Sequence, residues 1–448
     1  MEEIILFQKL LKLRLTNKKM KTIIIGAGLS GLSTAYYLEK RGNKDYVLLE
    51  ANPEVGGLCR TFRKNGFVFD FAPHMFFFGN KEITKLVRDL LGDALISEDR
   101  KHGILINGRV VPYPFQYNLY HLDEETKKEC LAGAIDADKK FNGQTPTNFY
   151  EWIKMALGEG IAKHFMLPYN KKCYCVHPKE LTLENLGRYI PRFDLKEIIK
   201  GANKDMSKAK VGYNYQFGYN KEGGIDFLPK AIARKIINIK LDEKVTKIDI
   251  DKKIVFTEKT NYPFENLVST MPLKKLVGLI DGAPEEIKNA AKKLRCNTIC
   301  AIILGVNKPK VSEHQVLYVP QEDVLTYRLS FATNYGKNVA PQGMSSICAE
   351  WSYLDDKKIS DEDLIERIIE DLIKMGFLKD KKEVVFKDVL KLEHAYVLFD
   401  FNRNENLKLI RDYLIKNSIY SVGQFGAWEH SSMDDSILHG KKVVENLL

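Results

Sequence analysis

Apolar residues near the start of the chain follow a strand pattern, then a helix pattern, then a strand pattern again. The apolar run at positions 22–25 is typical of a buried strand. Apolar residues then recur at roughly helical spacing over positions 32–41, and Gly42 ends that pattern. A second apolar run at positions 46–49 ends on Glu50. This order predicts a βαβ unit, whose two strands lie parallel in one sheet.

The rest of the chain carries the same two patterns in alternation. Strands are predicted at 67–71, at 104–111 as a hairpin that turns at Asn107-Gly108, within 237–255, and at 267–272, 299–305, 316–319 and 345–351. Helices are predicted at 81–91, over most of 123–158 and at 361–375. The mixture predicts an α/β protein, and no internal repeat or proline-rich linker divides it.

The turn between the first predicted strand and helix has the spacing G-x-G-x-x-G, with Gly26, Gly28 and Gly31 as its glycines. Gly26 allows a sharp turn out of the strand, Gly28 allows close approach to a pyrophosphate, and Gly31 allows close packing of helix on strand. Glu50 follows at the spacing of an acid that binds ribose hydroxyls. A tight turn without a ligand is the alternative, but the complete context favours a dinucleotide site.

Length and charge indicate a folded protein with a large core and argue against a membrane-spanning or nucleic-acid-binding protein. A chain of 448 residues can bury a large core, and we expect two or three lobes. No run approaches the roughly 18 apolar residues that span a bilayer. Basic side chains number 69 against 59 acidic ones, a net charge of +10, but the excess is scattered. It suits a polyanionic small molecule, and without a basic stripe among aromatic residues no nucleic acid is expected.

The cysteines and the N-terminal residues bear on metal binding, compartment and targeting. The seven cysteines are irregularly spaced and form no zinc-binding pattern, so we predict reduced thiols in a cytoplasmic protein and no metal site. Residues 1–19 precede Met20 and lack the pattern of a secretory signal. They are a packed or frayed extension, an amphipathic helix on a membrane surface, or a stretch upstream of the true start at Met20.

Positions 56–61, Gly-Gly-Leu-Cys-Arg-Thr, resemble the second glycine pair of a large family of FAD enzymes. That family includes amine oxidases, protoporphyrinogen oxidase, phytoene desaturase and UDP-galactopyranose mutase. The resemblance implies FAD, rather than NAD, as the cofactor. It also implies a Rossmann-like FAD-binding domain of the glutathione-reductase type, with a second mixed-sheet substrate domain and a helical insertion.

Four further segments are most similar to UDP-galactopyranose mutases of the eukaryotic type. Positions 72–78 resemble a G-P-H-x-F segment that those enzymes place against the flavin. Positions 112–119, P-Y-P-F-Q-Y-N-L, resemble a Y-P-F-Q-N-N segment. Positions 167–174 resemble R-x-Y-N/T-x-K-x-W, and positions 423–426 resemble G-R-F-G. The resemblance therefore extends from Met20 to the end of the chain.

The resemblance implies a set of site residues. The residues implied to bind the cofactor are Gly26, Gly28, Leu29, Ser30, Gly31, Glu50, Gly57, Leu58, Arg60, His74, Val245, Gly423, Asp434, Asp435 and Ser436. The residues implied to be catalytic are His74, Tyr327, Arg328 and Tyr396. Candidate phenols for contacting a phosphate are Tyr169, Tyr335, Tyr396 and Tyr420. A helix that begins near Asp434 would aim its N-terminus at the flavin, where the helix dipole stabilises negative charge.

The implied domains are discontinuous along the chain. Residues 1–19 form the N-terminal extension, and residues 81–217 form a mainly helical insertion. The substrate domain, a sheet with one helix, takes residues 276–384. The stretches expected to form the FAD-binding domain are 20–80, 218–275 and 385–448.

The sequence departs from the mutase pattern where a diphosphate would bind. Leu167 stands where the resemblance places an arginine, and losing a charge-assisted contact there costs about 1.5–3 kcal/mol. Gln424 replaces the arginine of G-R-F-G, and Cys173-Tyr174 replaces a pair that ends in tryptophan. Either the substrate is not a UDP-hexose, or other cations hold its diphosphate. The candidate cations are Lys171, Arg188 and Arg192.

Two enzyme classes therefore stay open. The first is a nucleotide-sugar isomerase that resembles UDP-galactopyranose mutase and works with reduced flavin. The second is an oxidoreductase of the amine oxidase or protoporphyrinogen oxidase type, which passes a hydride to flavin N5 and electrons to oxygen, quinone or another acceptor. A flavin-binding protein without catalysis is a third alternative. The expected partner is a small molecule, a nucleotide-sugar on the first alternative, and a homodimer stays open.

Overall fold

The computed structural model describes residues 20–141, 143–184, 194–207, 215–354 and 359–447. Residues 1–19, Arg188 and Arg192 lie outside the described residues, so the expectations about them stay untested. The strands are β1 (Met20–Ile25), β2 (Tyr46–Leu49), β3 (Thr61–Lys64), β4 (Phe67–Asp70), β5 (Phe76–Phe77), β6 (Leu95–Asp99), β7 (His102–Ile106), β8 (Arg109–Pro112), β9 (Gln216–Asn220), β10 (Ile239–Lys240), β11 (Val245–Asp249), β12 (Ile254–Thr257), β13 (Asn261–Ser269), β14 (Thr298–Val306), β15 (Val316–Tyr318), β16 (Arg328–Ser330), β17 (Ser345–Tyr353), β18 (Val384–Leu392) and β19 (Ile419–Ser421).

The helices are α1 (Leu29–Lys40), α2 (Lys81–Leu91), α3 (Glu124–Phe141), α4 (Phe149–Ile161), α5 (Leu167–Tyr174), α6 (Leu195–Asn203), α7 (Phe227–Ala233), α8 (Leu273–Leu279), α9 (Glu285–Lys293), α10 (Asp361–Lys374), α11 (Arg403–Lys416), α12 (Gly423–Gly426) and α13 (Met433–Leu447). A π-helical turn, Ala162–Met166, joins α4 to α5. Most of the predicted strands and helices are confirmed with shifts of a few residues at their ends.

The first sheet has the order β10-β2-β1-β13-β12-β11, and β19 also pairs with β13. The pairings among β10, β2, β1, β13 and β19 are parallel, whereas β11, β12 and β13 form an antiparallel meander. Alternate residues of β1 point to opposite faces, as a pleated strand requires. Ile24 packs with α1 and α13 on one face, and Ile23 and Ile25 pack with α8, α9 and α11 on the other. Helices on both faces of a largely parallel sheet confirm the predicted Rossmann-like α/β fold.

The second sheet has the order β18-β14-β17-β16-β15-β7-β8, and its pairings are antiparallel except for β15 with β7. Helix α10 covers one face, where Leu364 and Ile368 pack on the sheet. The β3–β4 hairpin packs Phe67 and Phe69 on the other face. A separate core around Trp152 joins α3, α4 and α6.

Sheet membership differs from the predicted domain boundaries at two places. The β7–β8 hairpin lies within the stretch predicted as a helical insertion, but β7 pairs with β15 of the second sheet. The boundary predicted at residue 385 falls inside β18, which pairs with β14 along its length. Both differences arise from strand pairing between residues far apart in the sequence. The periodicity of apolar residues does not indicate which strands pair. The division into domains itself stays a prediction.

Within the described residues, no helix is long and apolar enough to cross a membrane. None of the seven cysteines takes part in a disulfide. The described part of the chain also holds no group of three or more histidine, cysteine or acidic side chains arranged to bind a metal ion.

Candidate functional site

The glycine turn after β1 is shaped for an anion. Gly26 has a φ of +96°, and its N–H donates to the Leu49 carbonyl at 2.8 Å, so the chain turns sharply where β1 ends. A Cβ on Gly31 would lie 1.9 Å from the Gly26 carbonyl oxygen, so only glycine allows this packing of helix on turn. Helix α1 starts after Gly28 with no side-chain cap and no acid in its first turn. Its free N–H groups and dipole favour a phosphate there.

A second glycine turn closes on the first. Gly56 donates its N–H to the Ala27 carbonyl at 2.8 Å, and a Cβ on Gly57 would lie 3.0 Å from the Gly28 Cα. We call this backbone surface the glycine cradle; its residues are Gly26, Gly28, Gly31, Gly56 and Gly57. A side chain at these positions would fill the space between the two turns, which explains why glycine occupies them.

Glu50 lies directly beside the glycine cradle. Its buried carboxylate accepts the Ala27 N–H at 2.7 Å and the Asn52 N–H at 2.9 Å. The Glu50 carbonyl accepts the Glu243 N–H at 2.7 Å, which places Val245, two residues further on at the start of β11, close to Glu50. The structure therefore brings together the loop, the predicted ribose-binding acid and the predicted adenine contact.

The C-terminal elements reach the same place. A Cβ on Gly423 would lie 2.7 Å from the Ser30 hydroxyl, and Gly440 of α13 lies against the backbone of α1 at Ser30. The predicted residues Asp434 and Asp435 begin α13, and both carboxylates accept the Ser432 hydroxyl, the latter at 2.6 Å. Ser436 donates its N–H to the Ser432 carbonyl at 2.9 Å. These contacts cap the helix, and a cofactor contact through this turn stays a prediction.

A buried ion pair lies between β16 and β17. Arg328 donates from Nε and Nη2 to the two carboxylate oxygens of Glu350, each at 2.7 Å. The Glu350 side chain is fully buried, whereas that of Arg328 is 18% exposed. Tyr327 is fully buried and donates its hydroxyl to Glu350 at 2.7 Å. Glu350 therefore fixes the guanidinium plane, and three of the five N–H donors of Arg328 remain.

Three tyrosines surround this arginine. Burial raises the pKa of Tyr169, Tyr318 and Tyr396, and the charge of Arg328 offsets only part of that rise. The phenols are therefore neutral and keep their protons at neutral pH. Among the described residues, the hydroxyls of Tyr169 and Tyr318 make no hydrogen bond. We call Tyr169, Tyr318, Tyr327, Arg328, Glu350 and Tyr396 the arginine–phenol cluster.

Leu58, which directly follows the glycine cradle, packs toward the arginine–phenol cluster, and His74 lies near Arg328. The His74 ring contacts the Ala72 carbonyl at 3.0 Å through Nδ1. Burial lowers the pKa of His74, and the nearby charge of Arg328 lowers it further. Leu58 and Tyr396 are both partly buried and pack against the same buried group, which contains Tyr327. Arg60 donates to the Gly57 carbonyl at 2.9 Å and lies over the Phe71 ring.

Other predicted residues lie elsewhere or make different contacts. Lys171 is exposed and pairs with Glu322 at 3.3 Å. Gln424 donates to the Ala395 carbonyl at 3.2 Å. Tyr335 packs edge-on against Tyr219, with ring centroids 4.9 Å apart. Leu167 and Tyr420 are partly buried and pack against the apolar cores of the helical region and of the first sheet, respectively.

Sequence reasoning missed three residues of this site. Glu350 is the one charged residue of strand β17, a pattern that indicates a buried partner, but no local sequence feature identifies Arg328 as that partner. Tyr318 ends a short strand and carries no distinctive motif. Lys172 donates from Nζ to three backbone carbonyls near Arg328, and its motif position gave no hint of that role.

The chain matches the family of flavin containing amine oxidoreductases over residues 29–448. It therefore belongs to that family, and its cofactor is FAD. The glycine cradle, the uncapped N-terminus of α1 and the adjacent Glu50 carboxylate fit FAD: the backbone would hold the pyrophosphate and Glu50 the ribose. The residue assignments themselves stay predictions.

Two enzymes named coproporphyrinogen III oxidase are similar to this chain. The one from Bacillus subtilis is 21% identical and covers 97% of this chain and 99% of its own. The one from Staphylococcus aureus is 20% identical and covers 95% of this chain and 98% of its own. A crystal structure of reduced UDP-galactopyranose mutase superposes with a TM-score of 0.90 at 29% identity, covering 96% of this chain and 93% of that one.

Proposed function

We propose that this flavoenzyme is an isomerase that acts on a nucleotide-sugar, in the manner of UDP-galactopyranose mutase. The observation that carries the proposal is the arginine–phenol cluster. A diphosphate needs hydrogen-bond donors and positive charge, and the cluster supplies both from Arg328, Tyr169 and Tyr318. The superposition with reduced UDP-galactopyranose mutase over nearly the whole chain is further support.

The roles of the side chains follow from their contacts. Glu350 occupies one edge of the Arg328 guanidinium, so the remaining N–H donors would face a phosphoryl oxygen in a fixed plane. Neutral phenols donate to phosphoryl oxygens without repelling their charge. The rings of Tyr169 and Tyr318, with centroids 5.5 Å apart, would exclude water on one side. Bound FAD supplies the redox-active ring system that would react with the sugar.

The alternative is an oxidoreductase that acts on a porphyrinogen. The similarity of coproporphyrinogen III oxidases over 97% of the chain favours it, as does the leucine at position 167. Leu167 packs on the same apolar cluster as Tyr113 and Tyr169, which would suit an apolar substrate. On this alternative, the arginine–phenol cluster would face the carboxylates of the substrate.

A binding experiment separates the two. UDP-galactose is titrated against wild type, Arg328→Lys and Arg88→Lys while flavin fluorescence is followed. Arg88 is the matched control because both arginines lie over an aromatic ring, Arg328 over Tyr327 at 5.7 Å and Arg88 over Phe78 at 4.9 Å. We expect wild type and Arg88→Lys to bind equally and Arg328→Lys to bind at least about tenfold more weakly, because lysine has no bidentate fork.

The same preparations are tested for oxygen consumption with coproporphyrinogen III. The proposal predicts no steady turnover of that compound. Absence of UDP-galactose binding together with oxygen-dependent porphyrinogen oxidation would replace the isomerase proposal with the oxidoreductase one.

A further inference from the structure

Lys172 joins helix α5 to the loop between β15 and β16. Its Nζ donates to three backbone carbonyls of that loop: Val319 at 3.1 Å, Gln321 at 2.6 Å and Thr326 at 2.6 Å. An ammonium group has three N–H donors, so the loop uses all of them. One side chain therefore fixes the loop at both its ends and in its middle.

Both ends of this loop carry residues of the arginine–phenol cluster. Tyr318 ends β15, directly before the loop, and Arg328 begins β16, directly after it. Thr326 continues the connection, since its hydroxyl lies 3.0 Å from the carbonyls of both Arg328 and Glu350. Tyr169 lies on α5 one turn before Lys172. Lys172 therefore joins the helix that carries one phenol to the loop between the strands that carry the other phenol and the arginine.

No described carboxylate forms an ion pair with Lys172. The acids whose charges reach it are Asp371 on α10 and Glu322 and Asp323 in the loop. Each of them has another partner: Asp371 accepts the Leu325 N–H at 2.6 Å, Glu322 pairs with Lys171, and Asp323 pairs with Lys374. Burial lowers the pKa of Lys172 to about 7 in spite of these acids. Near neutral pH the three-carbonyl contact therefore loses a donor as the ammonium loses its proton.

We propose that Lys172 is a positioning residue for the substrate site. It fixes the loop at residues 319–326 and thereby the separation of Tyr169 from Tyr318 and Arg328. The inference rests on the proposed function, because the cluster is what Lys172 positions. It predicts that loss of the ammonium weakens the binding of a nucleotide-sugar and leaves FAD binding, which uses the glycine cradle, unchanged.

Lys163, in the turn that precedes α5, provides a matched control. Lys163→Met removes an exposed charge that pairs with Glu129 of α3 rather than with the loop, whereas Lys172→Met removes the ammonium that the loop binds. We expect both variants to retain full FAD and Lys163→Met to bind UDP-galactose as wild type does. Lys172→Met should bind it at least about tenfold more weakly, with KM raised by a similar factor. An unchanged Kd in Lys172→Met overturns the inference.

If Lys172→Met does not fold, the pH dependence of Lys172→Arg decides instead. The diphosphate diester of UDP-galactose does not titrate near neutrality, and the cluster phenols stay neutral because burial raises their pKa. Wild-type affinity should therefore fall severalfold as pH rises through the pKa of Lys172, and Lys172→Arg should not show this fall. If the affinities of wild type and Lys172→Arg for UDP-galactose change in the same way with pH, the inference is overturned. Absence of UDP-galactose binding by wild type overturns the proposed function, and this inference with it.

Discussion

The glycine cradle and the arginine–phenol cluster lie on neighbouring parts of the molecule but are built differently. The cradle is a backbone surface made by two turns, one directly after β1 and one shortly after β2. The cluster is a side-chain surface made from five separate segments. Pairing of β15, β16 and β17 in the second sheet brings three of them together, and apolar packing adds Tyr169 and Tyr396. A backbone surface depends on a short motif and tolerates no added atoms. A side-chain surface depends on pairing, burial and charge balance, so single substitutions change its affinity without removing the fold.

The largest expected effect is on the cradle. In Gly31→Val the new side chain would clash with the Gly26 carbonyl at 1.9 Å, which displaces helix from turn. We expect a loss of about 4–5 kcal/mol or more in stability and no retained FAD. Flavin absorbance per chain and urea unfolding measure both. Gly278→Ala is the control, because a Cβ there meets nothing within 4 Å. Full FAD content in Gly31→Val would show that the cradle is not the cofactor site.

The next effect is on the charge balance of the cluster. Arg328→Met leaves the fully buried Glu350 carboxylate without its cation, which costs about 3–5 kcal/mol in the free energy of unfolding. Arg328→Met with Glu350→Gln should recover most of that loss, because no charge is then left buried. Urea unfolding of both variants is the measurement. Equal stability of the single and double variants would contradict the buried pair.

A third effect concerns Asp70, which joins the β3–β4 hairpin to β9 and to the turn before α7. Its carboxylate accepts the Tyr219 hydroxyl at 2.6 Å, the Thr61 hydroxyl at 2.8 Å and the Ile225 N–H at 2.9 Å. Burial raises the pKa of Asp70 from 3.8 to about 6. A raised folded pKa means that this group contributes stability below about pH 4 and loses it as pH rises through about 6.

Unfolding of wild type and Asp70→Asn across that window tests the effect. The stability of wild type relative to the variant should fall by roughly 3 kcal/mol between pH 4 and pH 7.5, at about 1.4 kcal/mol per pKa unit. Parallel stability curves for the two proteins would mean that Asp70 titrates normally. Asp70 would then contribute nothing to the pH dependence of the free energy of unfolding.

The smallest expected effect is a change in UDP binding when a cation is added to the arginine–phenol cluster. Leu167→Arg should add a cation at the start of α5, two residues before Tyr169, and tighten UDP binding, by about tenfold for each 1.4 kcal/mol gained. The gain should weaken with added salt, as partly exposed charge pairing does. Flavin fluorescence titration of wild type and variant with UDP measures it. If Leu167 instead lines an apolar substrate pocket, the arginine lacks a partner, and the variant loses stability without binding UDP.

The comparison also explains which features the sequence could predict. Gly26, Gly28, Gly31 and Glu50 carry their role in local spacing, so the βαβ unit and its loop could be predicted directly. The partner of Arg328 could not, because Glu350 meets it only through the register of β16 with β17. The sequence places the β7–β8 hairpin within the predicted helical insertion for the same reason, since its parallel partner β15 lies far along the chain.

The central claim is that the arginine–phenol cluster binds a nucleotide-sugar on which the enzyme acts. Turnover of such a sugar tests this claim most directly. Enzyme reduced with dithionite is incubated without oxygen with UDP-galactopyranose or UDP-galactofuranose, and the products are separated by chromatography. The account predicts interconversion of the two sugars by reduced enzyme and none by oxidised enzyme. No interconversion in either direction, together with steady oxygen-dependent oxidation of coproporphyrinogen III, would contradict it.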